Sequence, residues 1–112
     1  MKFKILTLFP EIFPGPLSHS LSGKALSKNL FSIETINIRD FSDSKFKKVD
    51  DSPYGGGAGL LLKPDVMQKA LNFAKQGASK NSRVLFLSPS GKQLKSEIVD
   101  DFNKNDELII IC

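Results

Sequence analysis

The chain has 112 residues, of which 40% are hydrophobic and 25% are charged, and this length supports one domain with a modest core. The composition excludes a disordered chain, and no apolar run is long enough to span a bilayer or to serve as a secretory signal peptide. The net charge is +4, and residues 1–48 hold the whole excess of basic side chains. A basic first half is typical of proteins with a polyanion partner such as nucleic acid, but it also occurs without one.

The first third of the chain alternates between strand and helix patterns. The apolar run over residues 2–8 predicts a largely buried strand, which Pro10 ends. Residues 10–14 favour a short helix, and apolar side chains at helical spacing predict a second, broken helix over residues 16–30. Clean alternation over residues 31–39 predicts the next strand.

Residues 40–48 form a polar, basic segment in which Phe41 and Phe46 stand among charged side chains. A loop of this length inside a compact domain is usually functional or mobile. Its lysines could contact phosphates, and an aromatic neighbour could stack on a base. A solvated and partly disordered loop is the alternative. The lysines concerned are Lys45, Lys47 and Lys48.

Residues 49–62 have the most biased composition of the chain. Four glycines within five residues indicate positive φ angles or the close approach of another group to the backbone. Asp50 and Asp51 can accept hydrogen bonds from this backbone or from a ligand. Leu60–Leu62 predicts a short strand that anchors the loop, which favours a binding loop over a flexible linker. The glycines are Gly55, Gly56, Gly57 and Gly59.

Two phosphate-binding motifs are excluded for this loop. A P-loop requires Gly-Lys-Ser/Thr at a fixed spacing, and no such tripeptide follows these glycines. A dinucleotide-binding fingerprint requires glycines that open a helix, whereas these glycines lead into a predicted strand.

The second half repeats the alternation. The sequence predicts a helix from Pro64 to near Gly77, then a strand over residues 83–87 that is covered on both faces. A helix over residues 92–102 and a buried strand over residues 107–112 complete the pattern. We therefore predict an α/β domain over residues 1–112, with a mostly parallel sheet and flanking helices. We expect Leu94, Ile98 and Val99 to point inward from the last helix.

The turn over residues 88–91, Ser-Pro-Ser-Gly, connects a predicted strand to a predicted helix. In open α/β sheets ligands bind at the carboxyl ends of the strands, which makes this turn a candidate ligand site. An ordinary strand-to-helix connection is the alternative.

The remaining reactive side chains do not indicate a metal or nucleophile site. His19 lies among serines without a Cys, Asp or Glu neighbour, so we expect it to be exposed, and we predict no metal site. Cys112 cannot form an intramolecular disulfide, which fits a reducing compartment, and we expect a cytoplasmic protein. We expect Cys112 to be a small buried side chain at a strand end. A chain that stops on a hydrophobic central strand also leads us to expect a polypeptide that is cut short.

Four segments together resemble the bacterial tRNA (guanine-N1)-methyltransferases of the SPOUT class, in order and in spacing over nearly the whole chain. The segments are Leu6-Thr-Leu-Phe-Pro-Glu-Ile-Phe13, Ile38-Arg-Asp-Phe41, Val49-Asp-Asp-Ser-Pro-Tyr-Gly-Gly-Gly-Ala-Gly59 and Leu87-Ser-Pro-Ser-Gly91. The resemblance implies a homodimer that methylates N1 of guanine 37 of tRNA, next to the anticodon, with S-adenosylmethionine as the donor. It also implies a trefoil knot that holds the cofactor and active sites that form between subunits.

The resemblance assigns roles by position. The first cofactor-binding loop corresponds to Leu87, Ser88, Pro89, Ser90 and Gly91. The loop beside the target guanine corresponds to Asp50, Tyr54, Gly55, Gly56, Gly57 and Gly59. The basic segment that faces tRNA corresponds to Arg39, Lys45, Lys47 and Lys48. The chain departs from the family at Ala58, Phe46 and Lys24, where members often have proline, histidine and arginine.

The resemblance also implies that part of the site is missing from residues 1–112. Family members continue beyond the position of Cys112 with the knot, further cofactor loops and a C-terminal helical domain that supplies the general base. No catalytic residue is therefore expected in this chain, which corresponds to the part of the SPOUT domain before the knot and is predicted to be inactive alone. The alternative is a non-catalytic α/β module that binds RNA or another partner.

Overall fold

Strands and helices alternate along the chain in the computed structural model, which describes residues 1–112. The strands are β1 (Lys2–Thr7), β2 (Ser32–Asn37), β3 (Asp50–Asp51), β4 (Leu61–Leu62), β5 (Ser82–Phe86) and β6 (Glu107–Ile111). The α-helices are α1 (Ser20–Ser27), α2 (Pro64–Lys75) and α3 (Ser96–Phe102). Short 3₁₀-helices cover Pro10–Ile12, Gly15–Ser18 and Ile38–Phe41.

Four parallel strands form the main sheet in the order β2-β1-β6-β5, which confirms the predicted α/β class. Strands β3 and β4 form a separate antiparallel ribbon. Because all four main strands run in the same direction, their carboxyl ends share one edge of the sheet. No helix of the chain has both the length and the apolar character that crossing a membrane requires.

The core lies on one face of the sheet, under α2. In the sheet register Leu6 of β1 stands between Ile36 of β2 and Ile111 of β6. The buried positions of α2 recur every four residues and two of them are alanine, so the helix backbone can approach the strands closely. The buried cluster contains Leu6, Ile36, Ile38, Val49, Val66, Ala70, Ala74, Ile109 and Ile111.

A buried ion pair lies on the face of the sheet that α2 covers, near the carboxyl end of that helix. The ammonium group of Lys4 donates a hydrogen bond to the carbonyl of Ala74 at 2.8 Å, near the carboxyl end of α2. The same group lies 3.4 Å from Oε1 of Glu107 on β6, and both side chains are only 5% exposed. The sequence reasoning missed this pair. A cation at a helix carboxyl terminus also favours the helix dipole, so Lys4 joins β1, β6 and α2.

The prediction that residues 83–87 are covered on both faces is wrong. Strand β5 lies at the edge of the sheet, and Phe86 is 70% exposed because α2 packs across β1 and β2 instead. The last helix is also shorter than predicted, since residues 92–95 are not helical. Of the three side chains expected to point inward from it, Leu94 and Val99 are exposed and only Ile98 is half-buried.

The predicted burial of Cys112 is also wrong. Its side chain is exposed because the residue follows the last paired position of β6, although its backbone N–H still donates to the Leu6 carbonyl at 3.0 Å.

The predicted break in the helix over residues 16–30 is confirmed, and Gly23 explains part of it. A 3₁₀-helix over Gly15–Ser18 precedes α1, and the two elements meet at Gly23. A Cβ atom at this glycine would lie 2.2 Å from the backbone oxygen of Ser18. The two backbones can approach this closely only because residue 23 has no side chain.

We therefore expect Gly23→Ala to destabilise the protein by about 1–3 kcal/mol, as overpacking does. At an ordinary helix site the same substitution stabilises by roughly 1 kcal/mol, so the sign of the change is informative. Urea unfolding measures it, with Ser22→Ala on the same helix as the matched control. A Gly23→Ala protein as stable as the wild type would contradict the contact.

Candidate functional site

The glycine-rich loop is the tip of the β3–β4 ribbon. Asp50 pairs with Leu62 and Asp51 pairs with Leu61, so residues 52–60 form the connection. The anchor at the base of this ribbon is Val49, which is 2% exposed and accepts a hydrogen bond from the Lys63 N–H at 2.7 Å. The predicted short strand at Leu60–Leu62 is confirmed for Leu61–Leu62, but these three side chains are 40–65% exposed, so the leucines anchor the loop through backbone pairing and not through burial.

The four glycines of this loop serve its backbone conformation. Their φ angles lie between +85° and +117°, a region that side chains make unfavourable. A Cβ atom at any of them would meet no atom of the chain within 4 Å, so close packing inside the chain does not explain them. The loop therefore leaves an open surface beside its backbone. The glycines are Gly55, Gly56, Gly57 and Gly59.

The polar and aromatic side chains of the loop differ in whether they have a partner within the chain. Tyr54 is fully exposed in a turn that closes with a hydrogen bond from the Gly56 N–H to the Pro53 carbonyl at 3.0 Å. Asp51 accepts a hydrogen bond from the Ser52 N–H at 2.8 Å. Asp50 is half-buried, and its carboxylate makes no such local bond. Asp50 and Tyr54 are thus available to a ligand.

The turn over residues 87–91 follows β5 at the carboxyl edge of the sheet, as predicted. Leu87 donates from its N–H to the Ile111 carbonyl at 3.2 Å, which continues the pairing of β5 with β6. The hydroxyls of Ser88 and Ser90 lie 2.9 Å apart, and the Gly91 N–H donates to the Ser88 carbonyl at 3.0 Å. A Cβ atom at Gly91 would lie 3.1 Å from that carbonyl, so a side chain there would displace the turn by a few tenths of an ångström.

A cavity of about 780 Å³ begins at this turn and extends between the sheet and α3. Its floor is formed by apolar side chains of β1, β5 and β6, and it is open because α3 does not close on the sheet. The turn contributes Leu87, Ser88 and Gly91 to its lining, whereas the glycine-rich loop contributes no residue. The apolar part of the lining includes Phe3, Leu85, Leu108, Ile110, Ile98 and Phe102.

The two predicted binding loops follow opposite edge strands of the main sheet along the chain. The ribbon comes after β2, which is one edge strand, and the turn over residues 87–91 comes after β5, which is the other. Strands β1 and β6 separate β2 from β5, and these three strand spacings amount to about 14 Å. The chain does not bring the two loops into one pocket.

The predicted basic segment contains a hydrogen-bonded turn at residues 44–47. Lys45, Lys47 and Lys48 are exposed, and Arg39 is half-buried in the preceding 3₁₀-helix, where its N–H donates to the Asn37 side chain at 3.0 Å. His19 is exposed, as expected. No group of three or more His, Cys, Asp or Glu side chains could hold a metal ion.

An ion pair fastens the beginning of this segment to α2. The Lys69 ammonium donates a hydrogen bond to the Asp43 carboxylate, and this contact holds the pKa of Asp43 below its ordinary value of 3.8. A carboxylate with a lowered pKa in the folded state stabilises the protein above the pKa of the unfolded chain. That contribution is lost as the pH falls through the folded-state value.

We therefore expect the stability difference between the wild type and Asp43→Asn to be largest above about pH 5, where the aspartate of the unfolded chain is ionised, and to disappear as the pH falls through the lowered folded-state pKa. Both side chains are exposed, so the difference is small even at neutral pH. Urea midpoints measured between pH 2 and pH 7 test this, with Asp40→Asn, an exposed aspartate without an ion pair, as the control. A difference that is independent of pH would contradict the contact.

The comparisons with known proteins agree with each other. The sequence profile of the family described as "tRNA (Guanine-1)-methyltransferase TrmD" matches residues 1–112. The tRNA (guanine-N(1)-)-methyltransferase of Ruegeria sp. (strain TM1040) is 46% identical over 111 residues, which cover 99% of this chain and 46% of that protein. The enzyme of the same name from Rickettsia rickettsii (strain Sheila Smith) is 44% identical over 108 residues, which cover 96% of this chain and 46% of that protein.

The fold matches as well. A crystal structure of tRNA (m1G37) methyltransferase from Aquifex aeolicus superposes with a TM-score of 0.86 and 30% sequence identity, over 100% of this chain and 50% of that one. The chain thus spans about half the length of the relatives that it matches. On the match over its whole length, the chain belongs to the tRNA (guanine-1)-methyltransferase family.

Proposed function

We propose that residues 1–112 form the N-terminal part of a SPOUT-type methyltransferase that transfers a methyl group from S-adenosylmethionine to N1 of guanine 37 of tRNA. The observation that carries the proposal is the family match over all 112 residues, together with the superposition on a tRNA (m1G37) methyltransferase. In this proposal the knot and the general base lie in a second half, and a tRNA substrate places the enzyme in the cytoplasm.

The turn over residues 87–91 is the proposed first cofactor loop, with Leu87, Ser88, Pro89, Ser90 and Gly91 as its residues. The fit rests on the glycine at residue 91, which keeps the turn free of bulk, and on the apolar cavity that opens beside Leu87. S-adenosylmethionine supplies a methyl group on a positive sulfonium, which reacts without further activation once it is held in line with the acceptor. The contribution of this turn is therefore positioning.

The glycine-rich loop is the proposed wall of the guanine site. N1 of guanine carries a proton at neutral pH, so its methylation needs a base for that proton and donors for the charge that builds on O6. Backbone N–H groups of the open glycine backbone suit the second task. The unpaired Asp50 carboxylate suits contacts to base N–H groups. The proposed residues are Asp50, Tyr54, Gly55, Gly56, Gly57 and Gly59.

The lack of a common pocket for the two loops supports a homodimer. The cavity beside residues 87–91 includes no residue of the glycine-rich loop, so one chain does not close its own glycine-rich loop over that cavity. In a homodimer the glycine-rich loop of one subunit can complete the cofactor side of the other. Each active site would then use both subunits.

The basic segment is the proposed tRNA surface. Exposed lysine ammonium groups attract the phosphate backbone without reading its sequence, which makes binding strongly dependent on salt. The residues are Arg39, Lys45, Lys47 and Lys48.

The proposal is tested with the full-length protein, meaning the translated product of the gene that contains residues 1–112. Incubated with labelled S-adenosylmethionine and an unmodified tRNA transcript, it is expected to methylate N1 of guanine 37, and a transcript with adenine at position 37 should stay unlabelled. No methyl transfer to either transcript would reject the proposal. Binding of tRNA without methyl transfer would instead indicate the non-catalytic RNA-binding module.

A further inference from the structure

One aromatic side chain of the basic segment has no packing role within the chain. Residues 44–47 form a turn that closes with a hydrogen bond from the Lys47 N–H to the Ser44 carbonyl at 3.0 Å. Phe46 occupies the tip of this turn and is 87% exposed. The ring therefore contributes almost nothing to the core, whereas the neighbouring Phe41 packs against Phe73 with ring centroids 5.3 Å apart.

The turn that carries Phe46 is held by two serine hydroxyls. Ser44 Oγ accepts hydrogen bonds from the N–H groups of Phe46 and Lys48, both at 3.2 Å. The buried Ser42 hydroxyl donates to the Lys48 carbonyl and accepts from the Ser44 N–H. The buried Val49 follows directly and fixes the end of the turn. Because the backbone that carries the ring is already held in this way, little conformational entropy is lost when a ligand binds it.

Positive charge surrounds this ring. The Lys45 ammonium lies 6.0 Å from the ring centroid, and Lys47 and Lys48 follow it, both exposed. Lys47 also adopts a φ of +55°, a conformation that is unfavourable for a lysine and that the turn imposes. Two acidic side chains near this turn are already paired, Asp43 with Lys69 and Asp51 with Lys48 at 3.9 Å, so Lys45 and Lys47 are the lysines of the turn without an acidic partner. The surface around Phe46 is thus cationic rather than apolar.

We propose that Phe46 stacks on an unpaired nucleobase of the bound tRNA while the adjacent lysines contact its phosphates, an inference that rests on the proposed function and adds to it a residue for base contact. An exposed ring offers a flat face to any base, and single-stranded RNA presents bases that can be splayed out onto such a face. A protein partner fits this surface less well, because lysine is depleted from the cores of protein interfaces.

The test compares four forms of the full-length protein by fluorescence anisotropy with a labelled, unmodified tRNA anticodon stem-loop. Phe46→Ala is expected to weaken the Kd roughly 5- to 150-fold, the range of one base stack. Phe46→Trp should bind at least as tightly as the wild type. Phe46→Leu keeps apolar area but lacks a π-face, so it should bind like Phe46→Ala.

A lysine variant separates stacking from charge. Lys47→Ala removes one phosphate contact and should therefore reduce the slope of log K against log salt by nearly one. Phe46→Ala should leave that slope unchanged. An unchanged Kd for Phe46→Ala would overturn the inference, and so would wild-type affinity for Phe46→Leu.

The same preparations distinguish this inference from the proposed function. Methyl transfer by the wild type combined with an unaffected Phe46→Ala variant rejects the stacking role alone. Loss of stem-loop affinity in Phe46→Ala, in a protein that transfers no methyl group, supports the stacking role and rejects the methyltransferase. Calorimetric S-adenosylmethionine binding should be equal in the wild type and Phe46→Ala, and a weakened cofactor affinity would assign Phe46 to structure and overturn the stacking role.

Discussion

Replacing Lys4 by methionine is expected to lower the free energy of unfolding by about 3–5 kcal/mol, since removing one partner leaves a buried charge uncompensated. Methionine keeps the length of the side chain but removes the hydrogen bond to the Ala74 carbonyl and the ion pair with Glu107. Oε1 of Glu107, the oxygen that faces Lys4, is buried and accepts no hydrogen bond, so the loss of Lys4 leaves this atom without any partner. Urea unfolding measures the loss.

Two controls isolate the buried pair. Lys2 lies on β1, as Lys4 does, and forms an exposed ion pair with Glu34 of β2. Lys2→Met should therefore lower the free energy of unfolding by no more than about 1 kcal/mol. The double variant Lys4→Met with Glu107→Leu replaces the pair by apolar side chains and should regain most of the lost stability. Equal destabilisation by Lys4→Met and Lys2→Met would show that the buried pair has no special role.

Gly59→Val is expected to slow methyl transfer by the full-length protein by about 100-fold or more. Gly59 has a φ of +90°, which valine cannot adopt, so the tip of the ribbon must change its conformation. A displacement of about 1 Å of a positioning group can by itself cost on the order of 100-fold in rate. The variant should remain folded, because no atom of the chain lies within 4 Å of the added Cβ. A tRNA methylation assay with thermal unfolding of the same sample measures both effects.

Gly77→Val is the matched control for this variant. Gly77 has a φ of +68°, and an added Cβ there would also meet no atom within 4 Å. It lies in the connection between the end of α2 and the start of β5, outside the predicted binding loops. The backbone strain is of the same kind, so stability should fall in both variants while turnover falls only in Gly59→Val. Unchanged turnover in Gly59→Val would remove the glycine-rich loop from the site.

The order of strands and helices could be predicted from the sequence because hydrophobic periodicity is a local property. The runs that became β1, β2 and β6 alternate or are continuously apolar, and the helix α2 has clear apolar spacing after a proline. The coverage of a strand is not local. Strand β5 also contains a continuous apolar run, Val84–Phe86, yet it lies at the edge of the sheet, and the periodicity of a segment contains no information about its neighbours.

The two loops of the candidate site could be predicted from the sequence, but their relative positions in the fold could not. Composition identified the glycine-rich loop, and strand-turn-helix order identified the turn over residues 87–91. The order of the strands that precede the two loops is not revealed by local sequence patterns. The buried pair of Lys4 and Glu107 has a weaker signal in the sequence, since both charged residues lie in strands that are rich in apolar side chains. The exposure of Phe46 has no signal in the sequence, because Phe41, five residues earlier in the same polar segment, is packed against α2.

The most direct test of the account is a turnover assay that compares residues 1–112 with the full-length protein on the same unmodified tRNA transcript. In the proposed function this chain contributes one cofactor loop and one wall of the guanine site, and the base belongs to the second half of the full-length protein. We therefore predict N1 methylation of guanine 37 by the full-length protein and no turnover by residues 1–112. Methylation of guanine 37 by residues 1–112 alone would contradict it.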